Sequence, residues 1–192
     1  PTLVNKPLRL FKDKQQLIWG GYQEGLYRSN RTLDTIKEVL PLNPLLKKGV
    51  TCIRQMDNGL IVVGIRFGGV ALLNDTNIVA NFTESDGLLS DKVRYILPVK
   101  DQLWVATAKG ISVIKFTSYT PLKYNIINIG KNDGFYNVTI NQLIQFKGDI
   151  VAATSNGLYF IKDPDELINR EPIPIPFYIN SVSYYQNDTS AV

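Results

Sequence analysis

The chain has 192 residues, 44% of them apolar and 20% charged, with a formal net charge of +4. That composition supports a packed core and excludes global disorder, and no apolar run approaches the roughly 18 residues of a membrane helix. There is no histidine, so a Ser-His-Asp or Cys-His catalytic site cannot be built, and the commonest zinc ligand and pH switch are missing. The single cysteine, Cys52 in the run VTCI, excludes an intramolecular disulfide and reads as a buried thiol behaving as a small hydrophobe. Basic residues are scattered rather than gathered into the stripe that nucleic acid requires, so no nucleic-acid partner is expected. The chain starts at Pro1 and carries no leader signal, which reads as an excised piece of a longer protein.

In chain order, one phrase recurs. An apolar pair three residues apart comes first (Leu8 and Phe11), then polar punctuation at Asp13-Lys14. The phrase LIWGGYQEGLYR follows from Leu17: an apolar run ending in the small residue Gly20, a polar turn, Gly25 and a second apolar run. IKEVL (36–40) reads as one more short strand. The second copy has Val50 and Ile53, the punctuation Asp57-Asn58-Gly59, IVVGIRFGGVALL from Ile61 with Gly64 and Gly69, and then IVANF (78–82). The third has Val93 and Ile96, Lys100-Asp101, DQLWVATAKGISVI with Ala106 and Gly110, and then YNIINI (124–129). The fourth has Ile140 and Leu143, Lys147-Gly148-Asp149, and IVAATSNGLYFI from Ile150 with Ala153 and Gly157. Beyond it, DELINR (165–170) fits one helical turn, and 163–176 is too rich in proline and charge to give a good outer strand.

The turn glycines 25, 69, 110 and 157 are spaced by 44, 41 and 47 residues. Four short strands per 40–50 residues is the sequence mark of a β-propeller blade, a twisted sheet that cannot bury both faces alone and stacks on its neighbours. The expected fold is therefore all-β, a β-propeller of four-stranded blades with about four blades present. The four turn glycines are expected to supply positive φ. The small residues 20, 64, 106 and 153 are expected to sit where room near the axis is short. Trp104 is expected in the packing between blades.

DGLLSDKVRYILPVKDQLWVATAKGISVI, and within it residues 87–111 nearly position for position, resembles the two-component regulator propeller repeat. DGFYNVTINQLIQFKGDIVAATSNGL (133–158) matches with Val151 in the tryptophan position, LIWGGYQEGLYRS (17–29) matches the hairpin, and the unit at 50–73 matches least, with Val62 in that position. The resemblance spans about residues 8–162. PIPIPFYINSVSYY then looks like the exit into the immunoglobulin-like Y_Y_Y domain that commonly follows such propellers. The resemblance divides the chain into a partial propeller (1–162), a Pro-rich linker (163–176) and the first strand of a truncated Y_Y_Y-type domain (177–192). It implies the periplasmic sensor region of a hybrid two-component histidine kinase/response regulator, mostly of Bacteroidetes. The parent chain would be anchored in the inner membrane and sense glycan-derived oligosaccharides.

Four blades are fewer than the seven usual in that family, so a piece of a larger propeller is expected. Its apolar end faces favour self-association in a symmetric assembly, and only Thr2 to Val4 are at hand to complete the fourth blade.

No cofactor, metal site or catalytic residue is expected. The carboxylate pairs Glu84/Asp86 and Asp163/Asp165 read as turn chemistry, LNDTN (73–77) is no complete calcium loop, and GIRFGG opens a strand rather than a phosphate-binding helix. A ligand would sit where loops entering the innermost strands meet loops between second and third strands. Sugar recognition wants aromatic faces and planar polar groups, and Tyr22, Arg66, Arg94, Lys109, Tyr136 and Asn156 in those segments meet this requirement. The alternative to a ligand sensor is a propeller scaffold for protein–protein contact or dimerisation.

Overall fold

The structure is a computed structural model and describes residues 7–32 and 34–169. The expected strand at 177–185, most of the linker, and the Thr2–Val4 segment lie outside the described residues. Fifteen strands form four antiparallel sheets in simple up-and-down order. Blade 1 holds β1 (Arg9–Lys12), β2 (Ile18–Tyr22), β3 (Gly25–Ser29) and β4 (Ile36–Val39). Blade 2 holds β5 (Val50–Gln55), β6 (Ile61–Ile65), β7 (Gly69–Asn74) and β8 (Asn77–Phe82). Blade 3 holds β9 (Val93–Val99), β10 (Gln102–Thr107), β11 (Gly110–Tyr119) and β12 (Leu122–Ile129). Blade 4 holds β13 (Ile140–Phe146), β14 (Asp149–Thr154) and β15 (Gly157–Ile161). Among the described residues it has no fourth strand. A short helix, α1 (Pro164–Asn169), follows instead, as the proline and charge of that segment predict.

The first strands of successive blades, β1, β5, β9 and β13, lie side by side, so they surround the common axis and their starts open on one side. This is β-propeller architecture with three full blades and one three-stranded blade. Among the described residues no helix is long and apolar enough to cross a membrane.

Alternation along each strand gives every blade two apolar faces, and each seam joins unlike faces. One face centres on the second-strand position held by Trp19, Val62, Trp104 and Val151. It packs on the following blade's innermost strand, through the apolar pair three residues apart. Trp19 thus joins Val50 and Ile53, Val62 joins Val93 and Ile96, and Trp104 joins Ile140 and Leu143, each set in one continuous buried cluster. Both tryptophans are at most 1% exposed, and their ring N–H groups are satisfied: Trp19 Nε1 donates to Asp13 Oδ2 at 2.7 Å and Trp104 Nε1 to Gln102 Oε1 at 3.0 Å. Gln102 Nε2 donates in turn to Asp165 Oδ1 at 3.3 Å, which ties α1 to blade 3. Ile168 of α1 enters the same core.

Register corrects two expectations about the first repeat. Gly21 pairs with Leu26 as Gly64 pairs with Val70, Ala106 with Ile111 and Ala153 with Leu158. The small residue of blade 1 is therefore Gly21, not Gly20. The reason is close approach: a Cβ on Gly21 would lie 2.5 Å from Val50 Cγ1, and one on Gly64 would lie 3.0 Å from Val93 Cγ1. Likewise Leu10 pairs with Gly20 as Ile53 pairs with Val63 and Ile96 with Val105. The true counterpart of Ile53 is thus Leu10, not Phe11. Leu10 is 69% exposed because no blade precedes it among the described residues, and Phe11 turns the other way, onto the seam with blade 2.

The turn glycines divide three to one. Gly69, Gly110 and Gly157 have φ of 77°, 137° and 123°, where a side chain is disfavoured. Gly25 does not have positive φ, which corrects the fourth expectation. A Cβ there would sit 2.9 Å from Glu38 Oε1 and 3.2 Å from the Tyr27 ring, so those two side-chain ends would have to shift to admit one.

Candidate functional site

The axial mouth is shaped by a defect that the blades repeat. Near the start of the innermost strand, one extra residue interrupts pairing with the second strand: Thr51 between Val50 and Cys52, Arg94 between Val93 and Tyr95, and Asn141 between Ile140 and Gln142. Such bulges re-aim side chains at the rim of a sheet. The opposite wall comes from the loops between second and third strands. Blades 1, 3 and 4 use two residues there (23–24, 108–109, 155–156), while blade 2 uses three, 66–68. The longer loop lifts Arg66 and Phe67 outward. Phe67 is 60% exposed and sits at φ 54°, a left-handed backbone that is an outlier for a bulky residue.

Together these features line a depression of about 390 Å³ walled by Arg9, Thr51, Arg66, Phe67, Lys92, Val93 and Arg94. Four of its side chains are cationic, and no carboxylate of the described residues lines it. Arg9 is fixed by Nε donating to the Thr51 carbonyl at 2.7 Å, which joins blade 1 to the bulge of blade 2. Lys92 Nζ lies 5.7 Å from the centre of the Phe67 ring. Arg94 Nε is buried with no hydrogen-bond partner among the described residues.

The structure therefore brings Arg66 and Arg94 together and adds Arg9, Phe67 and Lys92, which sequence reasoning missed. The other four expected residues lie elsewhere. Tyr22 is 6% exposed, with its ring edge-on to Tyr27 at 4.7 Å and packed over Gly20, so no face is open for stacking. Lys109 pairs with Glu84 at 3.4 Å. The Glu84 carboxyl is held below its usual range, first by the Asp91 backbone N–H and then by Lys109. Tyr136 is 57% exposed and carries Lys131 Nζ 4.8 Å above its ring. Asn156 is occupied by its own turn: its N–H donates to Thr154 Oγ1 at 3.1 Å and its Oδ1 accepts from Ser155 Oγ at 3.2 Å.

Carboxylates of both expected pairs are engaged in hydrogen bonds. Asp86 Oδ2 caps a single helical turn by accepting from Thr83 N and Oγ1, and Glu84 Oε1 accepts from Asp91 N. Asp165 holds Gln102. The Cys52 thiol is fully buried, and burial pushes its pKa up, so it is a poor nucleophile. No group of three or more acidic or thiol side chains able to hold a metal occurs among the described residues.

The chain shares its fold with solved propellers of wider size. It superposes on the extracellular domain of a putative hybrid two-component system from B. thetaiotaomicron with a TM-score of 0.67 and 24% identity, covering 84% of this chain and 22% of that one. A second such extracellular domain from the same organism gives a TM-score of 0.54 at 15% identity, over 79% of this chain and 27% of that one. Virginiamycin B lyase from Staphylococcus aureus, in a catalytically inactive histidine-to-alanine variant, gives 0.52 at 16% identity over 92% and 58%. The chain thus spans about a quarter of the length of the two extracellular domains. No protein-family profile and no curated protein matches it.

Proposed function

We propose that this chain is a non-enzymatic segment of the periplasmic sensor of a hybrid two-component histidine kinase/response regulator, and that it binds a glycan-derived oligosaccharide. The observation that carries the ligand reading is the axial depression, where an exposed aromatic ring and planar guanidinium groups face the same space. Rings stack on the C–H faces of pyranoses, and guanidiniums donate paired hydrogen bonds to oxygens in one plane. The repeat pattern and the fold likeness to two extracellular sensor domains support the sensor assignment and its periplasmic location.

Catalysis has little to work with. The lyase neighbour is inactive once a histidine is replaced, and this sequence has none. The test is calorimetric titration and thermal melting of the chain against a broad oligosaccharide panel. Saturable binding with a raised melting temperature is expected, and silence across the panel refutes a ligand sensor.

A second reading has its own observation. The blade-4 face equivalent to the one that blades 1–3 bury presents Ile144, Phe146, Leu158 and Phe160, all at least 46% exposed. Ile144, Val151 and Phe160 form one cross-strand row, the counterpart of Leu97, Trp104 and Val113 in blade 3. This face suits another blade of the same repeat, from a second copy or a longer chain, and supports the scaffold role. Analytical ultracentrifugation separates the two readings, because assembly without ligand response is the scaffold result.

A further inference from the structure

We infer that the axial depression recognises an anionic saccharide, one carrying carboxylate or sulfate groups, and that Phe67 is the platform on which its ring lies. This rests on the oligosaccharide reading above and narrows it to a charge class.

The first observation is uncompensated charge. Lys14, Arg28, Lys47 and Lys109 each have a carboxylate partner among the described residues. Arg9, Arg66, Lys92 and Arg94 have no carboxylate of the described residues within ion-pair distance, yet they share one depression. Like charges gathered this way repel, though solvent and salt screen the repulsion because Arg9, Arg66 and Lys92 are exposed. An anion bound among them converts the same field into attraction. Other depressions differ: the one beside β4 mixes Arg28 and Lys37 with Glu38, and the one under α1 joins Lys147 to Asp149, Asp163, Asp165 and Glu166.

The second observation is preorganisation. Arg9 is clamped by the Thr51 carbonyl, and Arg94 is projected by the bulge in β9 with its Nε buried and unpartnered. A buried donor without an acceptor is costly, and the side chain that carries it lines the depression. The third is Phe67. Its left-handed backbone and 60% exposure keep an apolar ring in water beside four cations, and strain of that kind persists where it serves a site. A ring plus cations matches a sugar with charged substituents. Inorganic phosphate or sulfate alone has no use for the ring.

The experiment titrates the chain with a tetra-galacturonate, a sulfated chondroitin tetrasaccharide, neutral cellotetraose and inorganic sulfate. The expected result is that at least one acidic tetrasaccharide binds, about tenfold or more tighter than cellotetraose or sulfate, and that added salt weakens it. Which acidic probe binds identifies carboxylate or sulfate as the recognised group. Arg66→Glu and Phe67→Gly should each weaken that probe about tenfold. Both sit in an exposed loop, and glycine fits φ 54° better than phenylalanine, so Phe67→Gly should melt no lower than wild type. Cellotetraose binding equal to the acidic probes and indifferent to Arg66→Glu overturns the charge class and leaves the sensor reading standing. Sulfate binding as tightly as the tetrasaccharides overturns the saccharide platform. No binding by any saccharide overturns both.

Discussion

Replacing Trp104 with valine tests the division between packing and site. Trp104 is fully buried between blades 3 and 4, and blade 2 carries Val62 in the same register position. The smaller side chain is therefore compatible with the strand but leaves a void at this seam. Truncating a buried tryptophan to alanine costs about 3–5 kcal/mol, and valine recovers part of that, so the packing loss is about 3 kcal/mol. Gln102 Oε1 also loses its donor while Gln102 stays buried, which adds about 1 kcal/mol. A total of about 4 kcal/mol is a large share of the 5–15 kcal/mol typical of a folded domain. It corresponds to a fall of roughly 10 °C in melting temperature for a chain of this size. Urea denaturation followed by tyrosine fluorescence and circular dichroism measures it. A loss below about 1 kcal/mol, above all with saccharide binding abolished, would refute the seam assignment and place Trp104 in the candidate site.

Gly69→Ala should be far worse than Gly134→Ala. Both have positive φ, but a Cβ on Gly69 would lie 1.9 Å from the Phe82 carbonyl oxygen whereas nothing lies within 4 Å of one on Gly134. The expected costs are about 3 kcal/mol and about 1 kcal/mol by denaturant titration; equal costs would contradict the blade-2 hairpin. Tyr119 has its pKa pushed up to about 12, first by burial and then by Asp101, whose Oδ1 accepts its hydroxyl at 3.3 Å. The unfolded chain ionises this phenol near pH 10, before the folded one does, so its contribution is complete below pH 10 and is lost as pH rises towards 12. Melts at pH 9 and 11 should show a steeper fall for wild type than for Tyr119→Phe, and equal slopes would count against it. On the blade-4 face, Phe160→Asp should return an associating wild-type protein to the monomer mass in sedimentation; a monomeric wild type would leave that face without a partner in this chain.

The repeat made the fold legible because seam packing imposes it directly on the sequence. In blades 2, 3 and 4 the positions of Val93, Ile96, Ala106 and Gly110 each do the same job: burial in the seam for the first two, a small residue for the third and positive φ for the fourth. The first copy misled by one position, since Leu10 and Phe11 are both apolar and Gly20 and Gly21 are both small. Only pairing partners separate them. The site was less legible. Arg66 and Arg94 were readable as loop residues near an innermost strand. Phe67 was hidden by the extra loop residue, and Arg9 by its bond to a carbonyl in the next blade. Tyr22 is near the mouth by position, but Gly20, two residues back on the same strand face, leaves the space over which its ring folds.

The two unlike faces of each blade have a geometric consequence. Leu10 and Ile36 stand bare on the leading face of blade 1, and Ile144, Phe146, Leu158 and Phe160 stand bare on the trailing face of blade 4. A two-fold dimer through either face would mate like with like, against the rule every internal seam obeys. Extending that rule joins the trailing face of one unit to the leading face of the next. Such heterologous contacts close into a ring when the accumulated rotation completes a circle and grow into an open filament when it does not. The angle per blade therefore governs whether assemblies of this repeat are finite.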